Sequence, residues 1–421
     1  MKVCARLVAL LCFLATAGTA YGEGFALYEY GARGIALGGA AMARGNPDPA
    51  TVAYNPALLT KLTGTRVQAG ITAILPRGKM EWNDAAGRNG TTSLKDLNWY
   101  MPHAYFTQQL NDDWFFGVGE FTRYGLGFEY PSNWPGRFNI YEVNLLTASI
   151  NPNIAWKATE KLSLAAGVEI MYVTLDLRRR GAANPAAPAQ TEFDINIKDA
   201  NAWGVGGNFA FHYQFSDQWA IGAQYRSKVR VHAFGDASFQ PVGERMSKDI
   251  LNGNGITDGT AHAAVVFPDS VAGGISFTPI PELSFEAGAV WTRWSTFRSL
   301  NISFNNRLGQ ARSFKHWGDA MRWNFGVEWE ALDWLTLRGG FVYDESPMRE
   351  GWEDYLVPTN DRYIWSAGLG FHWDNWTVDL SAAFIDALGR RYSANRETNV
   401  MHSRAKASDT YIYSLSVGYK F

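Results

Sequence analysis

The strongest constraint on the fold of this chain is an apolar residue at every second position in many short segments. The last segment, 410–421, shows it best, with apolar residues at Tyr411, Tyr413, Leu415, Val417, Tyr419 and Phe421. Side chains of a β-strand point alternately to its two faces, so this spacing predicts strands with one apolar face. The same period recurs in segments 283–291, 321–330, 335–344, 362–371 and 376–384.

The connections between these segments favour a membrane barrel over a soluble β-sandwich, whose strands also alternate. Short connections lie at 111–113, 159–161, 216–218, 279–282, 331–334 and 373–375, and long ones near 78–98, 128–141, 181–191, 235–262, 306–317, 345–360 and 389–408. They join about 14 strands, and aromatic residues gather at the ends of the apolar faces, as in the girdles of outer-membrane barrels. We therefore expect an all-β fold, a 14-stranded antiparallel transmembrane β-barrel over residues 63–421.

The first 22 residues have the features of a secretory signal peptide. Two basic residues precede an apolar run at 7–17, and small residues allow cleavage after Gly22. The alternative, a membrane anchor, would need about 20 apolar residues. Both cysteines, Cys4 and Cys12, lie in this leader, so the exported chain would offer no thiol for a disulfide, for catalysis or for a metal.

Residues 23–62 lack the strand period and are rich in glycine and alanine, with Pro47, Pro49 and Pro56 between them. Such a segment is long for a simple leader to a barrel. We predict that it forms an N-terminal hatch folded into the lumen. The alternative is a disordered periplasmic tail.

Several motifs carry a family resemblance. Gly24-Phe25-Ala26-Leu27, the small residues 38–41 and Asn55-Pro56-Ala57-Leu58 follow one another in the hatch segment. Further along the chain are Tyr124-Gly125-Leu126-Gly127, Trp134-Pro135-Gly136-Arg137, Phe267-Pro268-Asp269 and Trp291-Thr292-Arg293-Trp294-Ser295-Thr296-Phe297. Together they resemble the FadL family of outer-membrane transporters for long-chain fatty acids and hydrocarbons, including its aromatic-hydrocarbon TodX-like branch. The resemblance spans essentially the whole exported chain and implies a 14-stranded barrel with an N-terminal hatch.

Charged residues in the predicted strands fall on the lumen side: Glu169, Glu286, Arg322, Glu328, Arg338, Asp344, Arg362 and Asp379. Unpaired charges are costly in a narrow lumen, so we expect them to pair with each other and with hatch backbone groups. We assign Arg362, Arg322 and Asp344 to hatch contact, because the motif around Arg362 resembles that of the family. The alternative is ordinary solvation of the lumen.

The turn Asn55-Pro56-Ala57 is a second candidate for holding the hatch. Proline removes a backbone donor and fixes φ, while asparagine can hydrogen-bond its own backbone. Such a turn could attach the hatch to the wall by few bonds. The alternative is an ordinary turn before the first strand.

The third predicted strand contains an irregularity. The outward register of Trp114, Phe116 and Val118 would place Glu120 in lipid, which is unfavourable near the middle of the bilayer. Gly117 and Gly119 permit a bend. We therefore predict a kink at Gly117, Gly119 and Glu120. The family resemblance implies that this kink leaves a lateral opening in the wall.

A fatty acid requires an apolar groove and a cation for its carboxylate. Candidate lining residues are Phe25, Leu27 and Tyr28 on the hatch, and Ile250, Leu251, Ile256, Val265, Val266 and Phe267 near the long loop 235–262. Arg179, within the run 178–180, lies where the resemblance places a carboxylate-binding arginine, although a basic rim facing lipopolysaccharide is an equal alternative. Lys315 lies near the family's other cationic position, with no clear match, which leaves room for an uncharged substrate.

These observations predict a passive channel for hydrophobic compounds, with long-chain fatty acids as the leading substrate and monoaromatic or alkane hydrocarbons as the alternative. An unspecific porin and a surface adhesin or receptor are alternatives of other classes. No catalytic motif is recognisable, so we expect neither an enzyme nor a cofactor. The chain has 38 Lys+Arg against 40 Asp+Glu, so it lacks the excess of basic residues that would suggest binding to nucleic acid. The expected partners are outer-membrane lipid and lipopolysaccharide, a hydrophobic small-molecule ligand, and the barrel-assembly machinery during biogenesis, and we expect a monomer.

Overall fold

A computed structural model describes residues 24–84, 86–184, 186–357, 360–395, 397–406 and 408–421. The predicted signal peptide, residues 1–22, lies outside the described residues. Among the residues that are described, none of the helices combines the length and apolar character needed to cross a membrane.

The chain is built almost entirely of strands, with a few short helices. The helices are α1 (Ala32–Ala36), α2 (Thr51–Tyr54) and α3 (Lys248–Gly253), and 3-10 turns lie at Pro56–Lys61, Pro135–Phe138, Pro188–Gln190 and Trp294–Thr296. The strands are β1 (Thr65–Pro76), β2 (Lys79–Asn83), β3 (Asn89–Ser93), β4 (Trp99–Gln109), β5 (Trp114–Phe121), β6 (Gly125–Glu129), β7 (Glu142–Lys157), β8 (Leu162–Ala182), β9 (Glu192–Gln214), β10 (Trp219–Arg226), β11 (Val229–Pro241), β12 (Gly259–Phe267), β13 (Ser270–Ile280), β14 (Leu283–Thr292), β15 (Ser299–Phe304), β16 (Gln310–Phe314), β17 (Ala320–Leu332), β18 (Leu335–Asp344), β19 (Arg362–Trp373), β20 (Trp376–Ala387), β21 (Arg390–Tyr392), β22 (His402–Ala405) and β23 (Ser408–Lys420).

Antiparallel pairing closes these strands into a barrel. Strand β1 pairs with β4 on one side and with β23 on the other, from Arg66 opposite Lys420 to Pro76 opposite Thr410. Five wall crossings are each divided into two successive strands, β5–β6, β10–β11, β12–β13, β14–β15 and β16–β17. Within the described ranges the wall therefore has 14 crossings, and the predicted 14-stranded barrel is confirmed.

The two ends of the barrel differ as the connection lengths predict. Every connection predicted to be short joins two adjacent strands at the end of the barrel that also holds Phe421. At the other end, β8 and β9 extend over 21 and 23 residues, and the loop strands β2, β3, β21 and β22 form a separate four-stranded sheet.

The outer face carries aromatic side chains near both ends of the wall. Exposed rings include Trp114, Trp156, Trp219, Trp329 and Trp376 towards the short turns, and Tyr100, Trp203, Trp323, Trp365 and Tyr411 towards the long loops. Rings on neighbouring crossings stack, for example those of Trp114 and Trp156 with centroids 5.9 Å apart. Two aromatic bands with aliphatic residues between them are the pattern of a barrel surrounded by lipid.

Residues 24–62, hereafter the hatch, fill the lumen. All five residues of α1 are buried, and this helix packs against β18, β19, β20 and β23. The 3-10 turn Pro56–Lys61 packs against β5, β7, β8 and β9 on the other side. The hatch backbone approaches some wall strands so closely that only glycine fits there. A Cβ built on Gly222 would lie 1.9 Å from the carbonyl oxygen of Met42.

This close approach makes hatch docking sensitive to one wall position. In Gly222→Val, the added side chain would overlap Met42 and Asn55, so we expect the hatch to undock while the barrel still closes. Limited trypsin digestion should then cleave at Arg33 and Arg44 at least about tenfold faster, because cleavage follows local opening. The control is Gly273→Ala, whose Cβ would have no neighbour closer than 3.8 Å. Unchanged trypsin resistance in Gly222→Val would show that hatch docking does not depend on close contact at Gly222.

Candidate functional site

A buried cluster of charges joins the hatch to the wall. The guanidinium of Arg33 donates twice to Glu328 of β17, with Nε to Oε2 at 2.9 Å and Nη2 to Oε1 at 2.8 Å. Arg338 of β18 donates to the same carboxylate at 2.6 Å and to Asp379 of β20 at 2.6 Å. Arg44 of the hatch lies 3.9 Å from Glu328. Hydrogen bonds between ionised groups of this kind are strong, because the charges are paired and removed from water.

Backbone amides of the hatch find acceptors on wall side chains. Glu286 of β14 accepts from the amide of Met42 at 2.6 Å and from that of Ala43 at 3.3 Å. Ser416 of β23 accepts from the amide of Ala32 at 3.0 Å, and Gln68 of β1 accepts from Ala50 at 3.0 Å. Hatch amides at the starts of the short helices and between them thus obtain from the wall the partners that regular secondary structure does not supply there.

The predicted turn Asn55-Pro56-Ala57 lies at the contact between hatch and wall. The side-chain amide of Asn55 donates to the carbonyl of Met42 at 2.5 Å and to the carbonyl of Phe211 in β9 at 3.1 Å. Its side-chain oxygen accepts from the amide of Ala57 at 3.1 Å and so caps the 3-10 turn that begins at Pro56. One side chain therefore links two hatch segments and one wall strand. Its role in gating stays a prediction.

The three charges assigned to hatch contact form one row across neighbouring strands. Asp344 of β18 lies opposite Arg322 of β17 and opposite Arg362 of β19. Arg362 donates to Asp344 at 2.9 Å from Nε, and the guanidinium of Arg322 lies over the ring of Tyr28 at 4.8 Å from its centroid. In this row, Arg322 is thus the residue whose guanidinium contacts an aromatic ring of the hatch.

The wall is interrupted in its third crossing. Strand β5 pairs with β7 as far as Phe121 and with β4 as far as Glu120. The chain then leaves the strand at 122–124 and resumes as β6, which pairs with β7. Among the described pairings, Trp99 to His103 of β4 pair with β1 and have no β6 partner. A gap in the wall therefore separates the upper part of β4 from β6.

The position of this interruption corrects the predicted kink. Gly117, Gly119 and Glu120 all lie within the regular strand β5. A Cβ on Gly117 would contact Val52 and Leu59 of the hatch, and one on Gly119 would contact Tyr105, so both glycines make room for packing in the lumen. Glu120 keeps the outward register and is half-buried at the lower corner of the gap.

The hatch supplies backbone partners to the residues that leave the wall. The amide of Leu27 donates to the carbonyl of Arg123 at 3.0 Å, and the amide of Gly125 donates to the carbonyl of Phe25 at 3.1 Å. Ala26 and Tyr124 form an isolated antiparallel bridge between these bonds. The motif Tyr124-Gly125-Leu126-Gly127, which carries part of the family resemblance, therefore follows the point where the strand turns inward, a role that the sequence alone does not predict.

A mainly apolar cavity of about 260 Å³, hereafter the gap cavity, extends from the hatch to this opening. Predicted residues Phe25, Leu27 and Tyr28 line it from the hatch. On the wall side it is lined by Tyr100 and Leu146, whose side chains are 62% and 41% exposed on the outer face. The cavity therefore connects the lumen with the lipid-facing surface.

Phe25 also lies at the centre of a cluster of aromatic rings above the hatch. Its ring centroid is 4.6 Å from that of Trp294, 5.6 Å from that of Phe297 and 6.0 Å from those of Tyr124 and Trp317. Predicted residue Phe267 joins the cluster at 6.3 Å. Trp294 belongs to one of the motifs of the family resemblance, but the sequence does not predict its contact with Phe25, because that contact joins segments far apart in the chain.

A second cavity of about 320 Å³, hereafter the upper cavity, lies towards the long loops. Its apolar lining includes Leu177, Phe193, Ile195 and Leu300, and Arg179 is among its charged residues. The Nε of Arg179 is buried, and within the described ranges it has no hydrogen-bond partner. The Nε atoms of Arg178 and Arg180 likewise have no hydrogen-bond partner there, but both guanidinium groups form ion pairs with Asp194, and among the residues described no ion pair is found for Arg179.

The other predicted groove residues have different surroundings. Leu251 and Ile256 are buried in the same apolar cluster as the upper-cavity lining, while Ile250 is exposed on α3. Val265 packs partly against that cluster. Val266 is half-buried in β12 next to the buried Phe267, and side chains of adjacent strand residues point to opposite faces. Lys315 is buried and forms an ion pair with Asp354, a residue that lines the upper cavity.

The closed barrel, the lipid-facing aromatic bands and the filled lumen define a plugged outer-membrane β-barrel. A family model described as "Outer membrane protein transport protein (OMPP1/FadL/TodX)" matches residues 13–421, and the chain belongs to this family. It is therefore an outer-membrane transport protein for hydrophobic compounds.

Comparisons with individual proteins agree with this assignment. The chain is 23% identical to a long-chain fatty acid transport protein of Escherichia coli O6:H1, over 96% of this chain and 95% of that protein. It is 26% identical to a putative outer membrane protein, NMB0088, of Neisseria meningitidis, over 97% and 96%. Its fold is similar to a Pseudomonas aeruginosa FadL homologue, with TM-score 0.86 at 18% identity, over 95% and 100% of the chains. The Pseudomonas putida toluene transporter TodX gives TM-score 0.75 at 20% identity, over 95% and 100%.

The shared carboxylate of Glu328 should dominate the attachment of the hatch. Glu328→Gln removes the carboxylate that Arg33 and Arg338 share and leaves Arg338 with Asp379 and Arg33 with Asp48 at 3.8 Å. Loss of one partner of a buried pair costs about 3–5 kcal/mol. We expect the amides of Ala32–Ala36 to exchange hydrogen for deuterium at least about tenfold faster. Glu160→Gln is the control, because the Glu160 side chain is 88% exposed and its pair with Lys157 is solvated. Equal protection of the hatch in both variants would refute the assignment.

Proposed function

We propose that this barrel takes up long-chain fatty acids passively and releases them sideways into the outer membrane through the gap between β4 and β6. The ligand enters the upper cavity from outside and passes the aromatic cluster around Phe25. It then occupies the gap cavity beside the hatch. The observation that carries the proposal is a mainly apolar cavity that opens to the lipid-facing side at an interrupted strand.

Arg179 supports a ligand with a carboxylate. It lies on the same face of the β8–β9 pair as Ile195 and contributes a cation to a cavity with many apolar lining residues. A buried guanidinium can donate two parallel hydrogen bonds to a carboxylate, and an apolar surround strengthens such bonds. Arg312 also lines this cavity, and apolar residues around a buried guanidinium match a fatty acid better than a neutral hydrocarbon.

The contacts of the hatch support a lateral route over a vertical one. The hatch is bonded to β14 through Glu286, to β17 through Glu328 and to β23 through Ser416. Movement of the whole hatch would break all of these buried bonds together. Release through the gap cavity requires a smaller structural change than movement of the hatch. The side chains that line this cavity towards the lipid are already exposed on the outer face.

Monoaromatic hydrocarbons are the second candidate substrate. The observation that favours them is the ring cluster around Phe25, since aromatic rings pack with one another in offset or edge-to-face geometry. The fold is also similar to that of a toluene transporter.

A charge-removing substitution separates the two substrates. Arg179→Met keeps the length of the side chain but removes the cation, and a hydrogen bond to a charged group contributes about 2 kcal/mol. We expect oleate binding to the purified protein to weaken by about 30-fold, with toluene binding unchanged. Arg178→Met is the matched control, because Arg178 is already paired with Glu142 and Asp194. Unchanged oleate affinity in Arg179→Met would count against fatty acids.

The cellular test is uptake by a strain that lacks the gene, with radiolabelled oleate, toluene and a small sugar. Loss of oleate uptake, restored by the wild-type gene and not by Arg179→Met, is the expected result. Loss of toluene uptake alone would assign the protein to hydrocarbons, and loss of sugar uptake alone would refute a hydrophobic substrate.

The exit route can be mapped with a fatty acid that carries a diazirine at its terminal carbon. After illumination of the protein in membranes, we expect labelled peptides to contain residues 99–101 and 125–128, at the gap. Residues 46–49 and 372–375, which line a polar cavity near the short turns, serve as the internal comparison. Labelling confined to this second set would contradict lateral release and indicate passage past the hatch.

A further inference from the structure

We infer that a small cavity inside the wall break, with three arginines in its lining, is a second carboxylate site, which holds the head of the ligand while its tail occupies the gap cavity. This inference rests on the proposed function. The cavity, hereafter the inner cavity, measures about 50 Å³ and lies between the hatch and β10, with Arg123, Gln224, Arg226 and Arg322 among its lining residues.

The charges around the inner cavity favour an anion. Its charged lining residues are the three arginines, and no carboxylate is among the residues that line it. Behind them, Glu169 accepts from Arg123 at 2.8 Å and lies 3.5 Å from Arg226, so two of the cations share one counter-charge. Arg123 and Arg226 together with Glu169 leave a net positive charge beside the cavity, and a buried positive charge attracts a carboxylate more strongly than a surface charge does.

Gln224 is the observation that points to a ligand. It is 5% exposed, and its side-chain oxygen accepts from Nε of Arg226 at 3.1 Å. Because arginine can only donate, this contact directs the other end of the amide, the NH₂ group, away from Arg226. The NH₂ group is buried and has no hydrogen-bond partner within the described ranges, although a buried donor normally has one.

The size and position of the inner cavity fit the head of the ligand and not its chain. A single water needs about 10–15 Å³, so this space holds a carboxylate with little room for a hydrocarbon tail. Ala26 and Leu27 line both the inner cavity and the gap cavity, so the two spaces meet at the hatch. A fatty acid held by its head at Gln224 would extend its tail towards the gap and leave the barrel tail first.

The test removes the unpartnered donor and compares a charged ligand with an uncharged one. Gln224→Met keeps the volume of the side chain but has no NH₂ group, and Gln224→Glu adds a repelling charge. Gln218→Met, in an exposed turn, is the control. Each purified variant is placed in liposomes, and the binding and transfer of oleate and oleyl alcohol are measured. Heat-dependent mobility in gels verifies that each barrel is folded.

The inner site predicts a selective effect. Both Gln224 variants should transfer oleate about 10- to 30-fold more slowly, which corresponds to the loss of about one hydrogen bond to a charged group. Oleyl alcohol transfer and initial oleate binding in the upper cavity should match the wild type. Equal slowing of acid and alcohol, or no slowing of either, would overturn the inner site. Failure of the wild-type protein to bind oleate would instead overturn the proposed function, and this inference with it.

Discussion

The structure depends on the way in which wall side chains satisfy the buried polar groups of the hatch. The short helices α1 and α2 and the turns beside them pair part of the hatch backbone internally, while the amides of Ala32, Met42, Ala43 and Ala50 have acceptors on wall side chains. In the lumen of a barrel surrounded by lipid, each unpaired amide or carbonyl would cost free energy. Side chains on at least five wall strands supply partners to the hatch, namely Gln68 of β1, Ser276 of β13, Glu286 of β14, Glu328 of β17 and Ser416 of β23.

This arrangement also explains why the wall can be open on one side. A strand that leaves a membrane barrel exposes backbone groups that lipid cannot hydrogen-bond. Here Phe25 and Leu27 of the hatch bond to Gly125 and Arg123, in the place where β4 would otherwise pair. The N-terminal end of the hatch therefore completes the interrupted crossing from within. A ligand that displaces Phe25 from its ring cluster would act directly on the residues that border the gap.

Much of the barrel could be predicted from the sequence, because strand period and turn length are local properties. The alternation of apolar residues, clearest in 410–421, predicts the strands of the wall. The glycine-rich segment 23–62, ahead of the first strand, predicts the hatch. The position of the break could not be predicted in the same way. Period two shows which face a residue occupies but not where pairing with the next strand ends. The break at 122–124 depends on bonds to residues 25–27, nearly a hundred positions earlier in the chain.

The candidate site shows the same limit. Phe25 and Phe267 were assigned to ligand contact separately, and the fold brings their rings together with Trp294 and Trp317. Arg179 could be singled out only as one of three adjacent arginines. What distinguishes it is that the other two pair with Asp194 across the strand, a contact that depends on the register of β8 and β9.

The central claim is that ligand leaves through the wall while the hatch stays in the lumen. Single-channel recording in planar bilayers tests this most directly, because a displaced hatch would open an aqueous path for ions. If the hatch stays in the lumen, no stepwise ion current should pass through the wild-type barrel, either alone or with saturating oleate, in preparations that transfer oleate to the bilayer. Stepwise current that appears on addition of oleate would contradict the central claim.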